Sequence, residues 1–239
     1  MNNASPKFWA IVPAAGIGSR FSADIPKQFH QLNGRLVAEH TLSRLLSLSI
    51  IRAIYAPCDR SSAYWSKVPA AGNKRVQLIA GGEYRAQSVL NGLTAIQSFA
   101  SEDDWVLVHD MARPCVTPEN IGQLIAALVN HPVGGILAAP INDTLKRVNA
   151  DKHILETANR SEYRAAQTPQ IFRYGLLKAS IQSMLQDNKI PTDEASAIEY
   201  AGYQALAVAG RQDNIKITRR EDLAVAAAIM KNQEIEGCV

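Results

Sequence analysis

Short, almost wholly apolar runs alternate along this chain with longer amphipathic segments, and no other feature constrains the fold as tightly. The apolar runs read as strands at 8–13, 52–56, 76–80, 105–109, 135–140 and 205–209. The segments between and after them read as helices at 37–48, 85–99, 118–130, 173–186, 193–200 and 220–231. A strand that is apolar at nearly every position must be covered on both faces, and strand–helix alternation makes successive strands parallel. The expected fold is therefore α/β, a mainly parallel sheet flanked by helices. The 239 residues, 47% of them apolar, are enough to give that sheet a core. The chain is read as a single domain spanning 1–239.

One segment breaks the rhythm. "NDTLKRVNADKHILETANR", residues 142–160, is polar and reads as a β-hairpin, 144–148 against 153–157. A hairpin is marginal in water on its own, so it is expected to pack on the body of the protein or on a second subunit. The three cysteines, Cys58, Cys115 and Cys238, are far apart and form no CxxC pair. That disfavours a disulfide framework or zinc site and fits a reducing, cytoplasmic setting. The N-terminal segment reads as neither a signal peptide nor a membrane span. A net charge of +3 is too small to argue for nucleic acid.

Ligands of open α/β sheets bind beyond the carboxyl ends of the strands, and the informative residues follow the strands. After the first comes "PAAGIGSRF". Gly16 and Gly18 make a GxG, but Phe21 stands where a dinucleotide fingerprint has its third glycine, and the phosphate-loop kinase pattern is absent. What remains is a loop of small residues, Pro13, Ala14, Ala15 and Gly16, whose N–H groups a ligand can approach. Arg20 inside the turn and Lys27 behind Pro26 add two cations suited to a triphosphate.

"GGEYRAQSV" follows the third strand with Gly81, Gly82 and Glu83, then Arg85 and Ser88 at a helix start. "WVLVHDMARP" places Asp110 and Arg113 where the fourth strand ends. His109, pointing the opposite way, reads as structural. Thr168 precedes Pro169. Thr192 reads as a helix N-cap and as a substrate contact. Asp213 and Lys216 stand at the exit of the last strand as candidate substrate contacts.

"PAAGIGSR…PKQF", "GGEYRAQSV", "VHDMARP", "DTLKR", "QTPQIF", "TDEAS" and "DNIKIT" appear in an order and at spacings that resemble 2-C-methyl-D-erythritol 4-phosphate cytidylyltransferases of the non-mevalonate isoprenoid pathway. The resemblance runs from about Phe8 to about Met230 and is to the monofunctional form. It implies a Rossmann-like nucleotidyltransferase fold and a homodimer held through a protruding β-hairpin arm at about 142–160. The implied ligands are CTP, a sugar-alcohol phosphate, and Mg²⁺ bound largely through the CTP phosphates, with neither nucleic acid nor membrane as partner.

The resemblance also implies roles. Residues 13–18 wrap the nucleotide. Ala14, Ala15, the Gly81–Glu83 backbone and Ser88 lie near cytosine, and Asp110 and Met111 near the ribose. Arg20 and Lys27 hold the triphosphate. Asp110, Arg113 and Thr168 hold the sugar-alcohol phosphate. Thr144, Arg160 and Lys216 bind its phosphate group, the first two from the partner's arm. Met111 stands where the family more often has alanine, and Glu83 where it often has aspartate. The nearest alternative activity is cytidylyl transfer to ribitol 5-phosphate. The residues do not name the metal's ligands, although Asp110 is a candidate.

Overall fold

The computed structural model of the chain describes residues 6–16, 21 and 25–238. Its strands are β1 (Phe8–Ile11), β2 (Gln31–Leu32), β3 (Arg35–Leu36), β4 (Ile51–Cys58), β5 (Val76–Ala80), β6 (Trp105–Val108), β7 (Gly134–Pro140), β8 (Leu145–Val148), β9 (Ile154–Ala158), β10 (Arg164–Arg173) and β11 (Leu206–Ala209). Its α-helices are α1 (Val37–Leu46), α2 (Arg85–Ala95), α3 (Pro118–Leu128), α4 (Tyr174–Gln186), α5 (Glu194–Tyr200) and α6 (Asp222–Ile235). Seven strands form one sheet in the order β11-β7-β10-β6-β1-β4-β5. Together with the covering helices this is a Rossmann-like nucleotidyltransferase architecture.

Alternating side chains of β1 show why the apolar runs have no polar face. Phe8, Ala10 and Val12 enter one core with α1 (Ala38, Leu42, Leu45) and α3 (Ile121, Leu124, Leu128). Trp9 and Ile11 enter the opposite core with α2 (Val89, Leu93), α4 (Leu177, Ile181) and α5 (Ala197, Ile198). Each fully buried Ile or Leu contributes about 1.5–3 kcal/mol, against a few tenths for helix propensity, so packing holds these helices in place. A smaller core under α6 joins Ala226 and Met230 to Phe21, Ala112 and Ile217.

Helix ends depart from the sequence reading where side chains close them. α1 stops at Leu46, two residues early, because the Arg75 guanidinium donates to the carbonyls of Leu46, Leu48 and Ile51. At α5 the cap is Asp193 instead of Thr192. The Asp193 carboxylate accepts from Ser196 N at 2.9 Å, and Ser196 Oγ accepts in return from Asp193 N. The three-residue offset to Ser196 decides which of the two residues caps.

Beyond the two-residue strands β2 and β3, β10 is the strand that the sequence reading lacks. It runs antiparallel to both neighbours, β6 and β7, so the sheet is mixed, with parallel pairs β6–β1–β4–β5 and β7–β11. Its pairing shifts register between Ala166 and Gln170. Pro169 lies in that irregular stretch, where no ladder hydrogen bond is demanded of it.

The hairpin forms as β8 and β9, pairing Leu145 with Ala158 and Val148 with Ile154, with both strands starting one residue later than expected. Val148, Ile154, Leu155 and Tyr163 stand exposed on or beside it. Among the described residues no helix is long and apolar enough to cross a membrane.

Candidate active site

β1, β4, β5 and β6 are parallel, so the loops that follow β1, β5 and β6 leave the same edge of the sheet. These loops, the residues around Lys27 and the segment carrying Lys216 enclose one cavity. Pro13, Ala14, Ala15 and Gly16 line it from the first loop, Gly82, Glu83 and Ser88 from the second, and Asp110 and Met111 from the third. Lys27 and Lys216 line it as well. Gly18 and Arg20 lie outside the described residues.

The loops are built to touch. A Cβ on Gly81 would stand 2.4 Å from the Ala15 Cβ, so only glycine lets the loops after β1 and β5 close together. Ala14 N donates to Pro57 O at 2.8 Å, and Gln28 Nε2 donates to Ala14 O at 2.8 Å. Ser88 Oγ accepts from Gly82 N at 2.9 Å. Met111 is buried at the cavity wall, and its carbonyl accepts from Thr41 Oγ1 at 2.8 Å.

Three cations converge on Asp110. Arg85 Nε donates to Oδ1 at 2.9 Å, Lys216 Nζ stands 2.7 Å from Oδ2, and Arg113 Nε stands 3.8 Å from Oδ2. Burial alone would raise this carboxyl, but Arg85, Lys216 and Arg113 outweigh it and hold Asp110 well below the usual carboxylate range. Arg113 is itself held by donation to Asn214 O at 2.7 Å, and its buried Nε has no hydrogen-bond partner among the described residues. The segment carrying Lys216 is tied to the same loop by Ile217 N donating to Ala112 O at 2.8 Å. Lys27 Nζ donates to Ile217 O at 3.1 Å, so the two lysines share one support.

The sequence reading missed the rest of this cluster. Arg85, read as ordinary helix-start chemistry, donates to both oxygens of Glu194 at 2.6 and 3.0 Å. Burial opposes its charge, but Glu194 and Asp110 prevail and hold the guanidinium above its ordinary value. Glu194 is 1% exposed. Nothing local marks it, because a glutamate in the first turn of a helix is normally a solvated complement to the dipole.

Behind Asp110 a neutral chain of hydrogen bonds sets its backbone. Asp110 N donates to Thr168 Oγ1 at 3.0 Å, Thr168 Oγ1 lies 3.1 Å from His109 Nδ1, and His109 Nε2 lies 3.1 Å from Arg113 O. A carbonyl accepts only, so Nε2 carries the proton and Nδ1 accepts from the threonine hydroxyl. Thr168 is thus buried and its hydroxyl is committed within the protein.

His109 is fully buried, and desolvation lowers its pKa to about 4. Its unfolded-state value is about 6.5, so the unfolded chain binds the extra proton between these values. Stability from this group is complete above pH 6.5 and is lost as pH falls toward 4, a total of about 3 kcal/mol. Chemical denaturation from pH 7 to 4 is expected to show that steeper fall in the wild type than in His109→Gln, and parallel curves would contradict it.

Gly81, Arg113, Thr168, Asp213, Thr192, Thr144 and Arg160, all expected contacts, do not line this cavity. The Asp213 carboxylate is committed to Arg211, at 2.9 and 2.7 Å, and to Gln233 Nε2 at 3.0 Å. Thr192 is exposed beside the Asp193 cap. Thr144 and Arg160 sit on the exposed arm, where Arg160 donates to Asn142 O. Cys58 and Cys115 are buried, and burial pushes both thiols up to about 12, where they stay protonated and unreactive.

This arrangement matches known proteins along nearly its whole length. The 2-C-methyl-D-erythritol 4-phosphate cytidylyltransferase family, IspD, matches residues 8–232. The 2-C-methyl-D-erythritol 4-phosphate cytidylyltransferase of Ectopseudomonas mendocina is 47% identical over 92% of this chain and 94% of its own. That of Tolumonas auensis is 46% identical over 96% and 99%. The crystal structure of the Francisella tularensis enzyme superimposes with a TM-score of 0.80 at 34% identity, covering 93% of this chain and 99% of that one. With the site's loops and cations in the order of the sequence motifs, and with that coverage, the chain belongs to the 2-C-methyl-D-erythritol 4-phosphate cytidylyltransferase family.

Proposed function

We propose that the chain transfers the cytidylyl group of CTP to 2-C-methyl-D-erythritol 4-phosphate, giving 4-diphosphocytidyl-2-C-methyl-D-erythritol and pyrophosphate for isoprenoid precursor synthesis. The observation that carries this reading is the convergence of Lys216, Arg113 and Arg85 on buried Asp110, beside a wall of small residues and Lys27. The nucleophile is an oxygen of the acceptor phosphate, already ionised at neutral pH. It bonds to the α-phosphorus while the bond to the β-phosphate oxygen breaks, and pyrophosphate leaves with those electrons. No proton moves, so no general base is needed, in keeping with a neutral, buried His109. What the reaction needs is relief of repulsion between two polyanions, and cations placed in advance provide it.

In this reading Arg20 and Lys27 neutralise the triphosphate and the charge that builds on the leaving group. Pro13, Ala14, Ala15, Gly16 and Gly18 let the backbone close on the nucleotide. Gly81, Gly82, Glu83 and Ser88 bound the base, and Met111 the ribose. Asp110 accepts hydroxyls, and Arg113 and Lys216 face the acceptor's charge. The carboxylates at the cavity wall are Asp110 and exposed Glu83, and no group of three or more His, Cys, Asp or Glu gathers among the described residues. Mg²⁺ keeps waters and takes most of its oxygens from phosphates, so with both Asp110 oxygens held by Arg85 and Lys216 the CTP phosphates would hold most of it, and Asp110 is a candidate protein ligand. When bound, Mg²⁺ adds positive charge at the phosphate oxygens.

The reading extends to assembly. The chain is one nucleotidyltransferase domain, acts in the cytoplasm, and pairs with a second copy through the β8–β9 arm. The arm's exposed Val148, Ile154 and Leu155 support pairing, since an isolated hairpin is marginal in water and these apolar side chains would be covered by a partner. Thr144 and Arg160 then reach the partner's acceptor phosphate.

Arg160→Ala is expected to raise the acceptor KM with little change in kcat. Mixing it with Lys27→Ala gives heterodimers in which one site has both defects and the other has neither. Recovered activity supports action across the dimer, and no recovery places Arg160 within its own chain's site. The activity itself is tested by pyrophosphate release with CTP, UTP and ATP. Acceptor-dependent release with CTP well above the other two supports the reading, and equal release or hydrolysis without acceptor sinks it.

A further inference from the structure

Glu194 lies at the first position of α5, where a glutamate usually reaches into water, yet it is 1% exposed. Burial pushes its carboxyl up, and Arg85 opposes that with a donor on each oxygen, at 2.6 and 3.0 Å. A fork with both carboxylate oxygens accepting is the geometry of an ionised pair. The helix start is set independently by Gln170, whose Oε1 accepts from Ala195 N at 2.9 Å and whose Nε2 donates to Asp193 Oδ2 at 2.8 Å. Glu194 is therefore not needed as a cap.

The same guanidinium reaches Asp110 Oδ1 through Nε alone. We infer that Glu194 is a positioning residue for the transfer reaction: by occupying the forked end of Arg85 it leaves Asp110 Oδ2 exchangeable between Lys216 and a ligand hydroxyl. Without Glu194 the forked end is released and can turn onto Asp110, taking both of its oxygens. Charge follows the same logic. With Glu194 the cluster holds two carboxylates and three cations, a surplus of one. Without it, Arg85 competes with Lys216 for the only remaining carboxylate.

This inference rests on the transferase reading of the same cavity. It is tested by steady-state kinetics of two variants, with thermal unfolding measured beside them. Glu194→Gln keeps the shape and removes the charge. Arg85→Met combined with Glu194→Met removes the pair together, keeps the cluster's net charge and replaces a buried ion pair with apolar side chains, a change that proteins often tolerate.

Glu194→Gln is expected to raise the acceptor KM about tenfold, the loss of one hydrogen bond to a charged group, and the paired variant, which has no released fork to take Asp110 Oδ2, is expected to raise it clearly less. The CTP KM should change less than about twofold; Glu194→Gln should lower the unfolding temperature, because it removes one partner of a buried pair, and the paired variant should change it little. Unchanged acceptor KM in folded Glu194→Gln, or a paired variant impaired as much as Glu194→Gln, overturns the inference. So does an equal fall in activity toward both substrates that tracks the loss of folded protein, which is the mark of a structural role. Wild-type protein that releases no pyrophosphate with any acceptor would overturn the transferase reading, and this inference with it.

Discussion

Replacing Lys27 with alanine lowers kcat by about 10²–10³-fold and changes the acceptor KM far less. The magnitude is that of removing one preorganised donor from a developing anion. Lys27 lines the cavity on a short 3-10 turn behind Pro26, with its Nζ directed onto Ile217 O. The carbonyl it meets belongs to the residue after Lys216, so both cations are registered by the same strip of backbone. A positive charge held in advance costs nothing to reorganise when charge moves onto the leaving pyrophosphate. It therefore acts on the transition state more than on the bound substrates, and kcat carries the loss. Steady-state kinetics with varied acceptor at saturating CTP checks this, and an unchanged kcat would remove Lys27 from the catalytic role.

Asp110→Asn is expected to lower stability and activity together. Asparagine keeps the shape but turns an anion shared by Arg85 and Lys216, with Arg113 close by, into a neutral amide. Breaking a buried pair by removing one partner typically costs about 3–5 kcal/mol. Lys216 is partly exposed, with 38% of its side chain accessible, and can turn to water, so the lower end, about 3 kcal/mol, is expected.

The pH dependence follows from the sign of the shift. Asp110 is held below its ordinary value, so its contribution is complete above the unfolded pKa of about 3.9 and is lost as pH falls below it. The stability gap between wild type and Asp110→Asn should be full at pH 7 and should narrow on acidification below about pH 4. A gap independent of pH down to the lowest pH at which both proteins fold would contradict the ion-pair account.

The sheet was legible in the sequence where strands are apolar on both faces, as at Phe8–Ile11 and Trp105–Val108, since no other element of that length buries every side chain. β10 was not legible. Its first three residues are exposed, the next six are buried, and Pro169 interrupts it, so neither the alternating nor the continuous apolar pattern appears. Only the antiparallel pairing to β6 and β7 makes it a strand.

The site divides in the same way. Asp110 and Lys27 could be marked because they follow strands as charged residues beside small ones. Glu194 could not, since its partner Arg85 lies 109 residues away in the chain, and its own neighbourhood reads as a helix start. Thr168 is a substrate contact only by the family resemblance, and its hydroxyl is enclosed between Asp110 N and His109. Burial of that kind depends on β10, which was the element the sequence concealed.

The central claim is that an oxygen of the acceptor phosphate attacks the α-phosphorus of CTP in a site that supplies charge and no base. The direct measurement uses 2-C-methyl-D-erythritol 4-phosphate carrying ¹⁸O in its non-bridging phosphate oxygens, with phosphorus NMR of the products formed from CTP. The account predicts an isotope-shifted signal for the cytidine-side phosphorus of the diphosphate product, unlabelled pyrophosphate, and no turnover without the acceptor. A cytidine-side phosphorus bonded only to ¹⁶O, or equal pyrophosphate release when the acceptor is omitted, would contradict it.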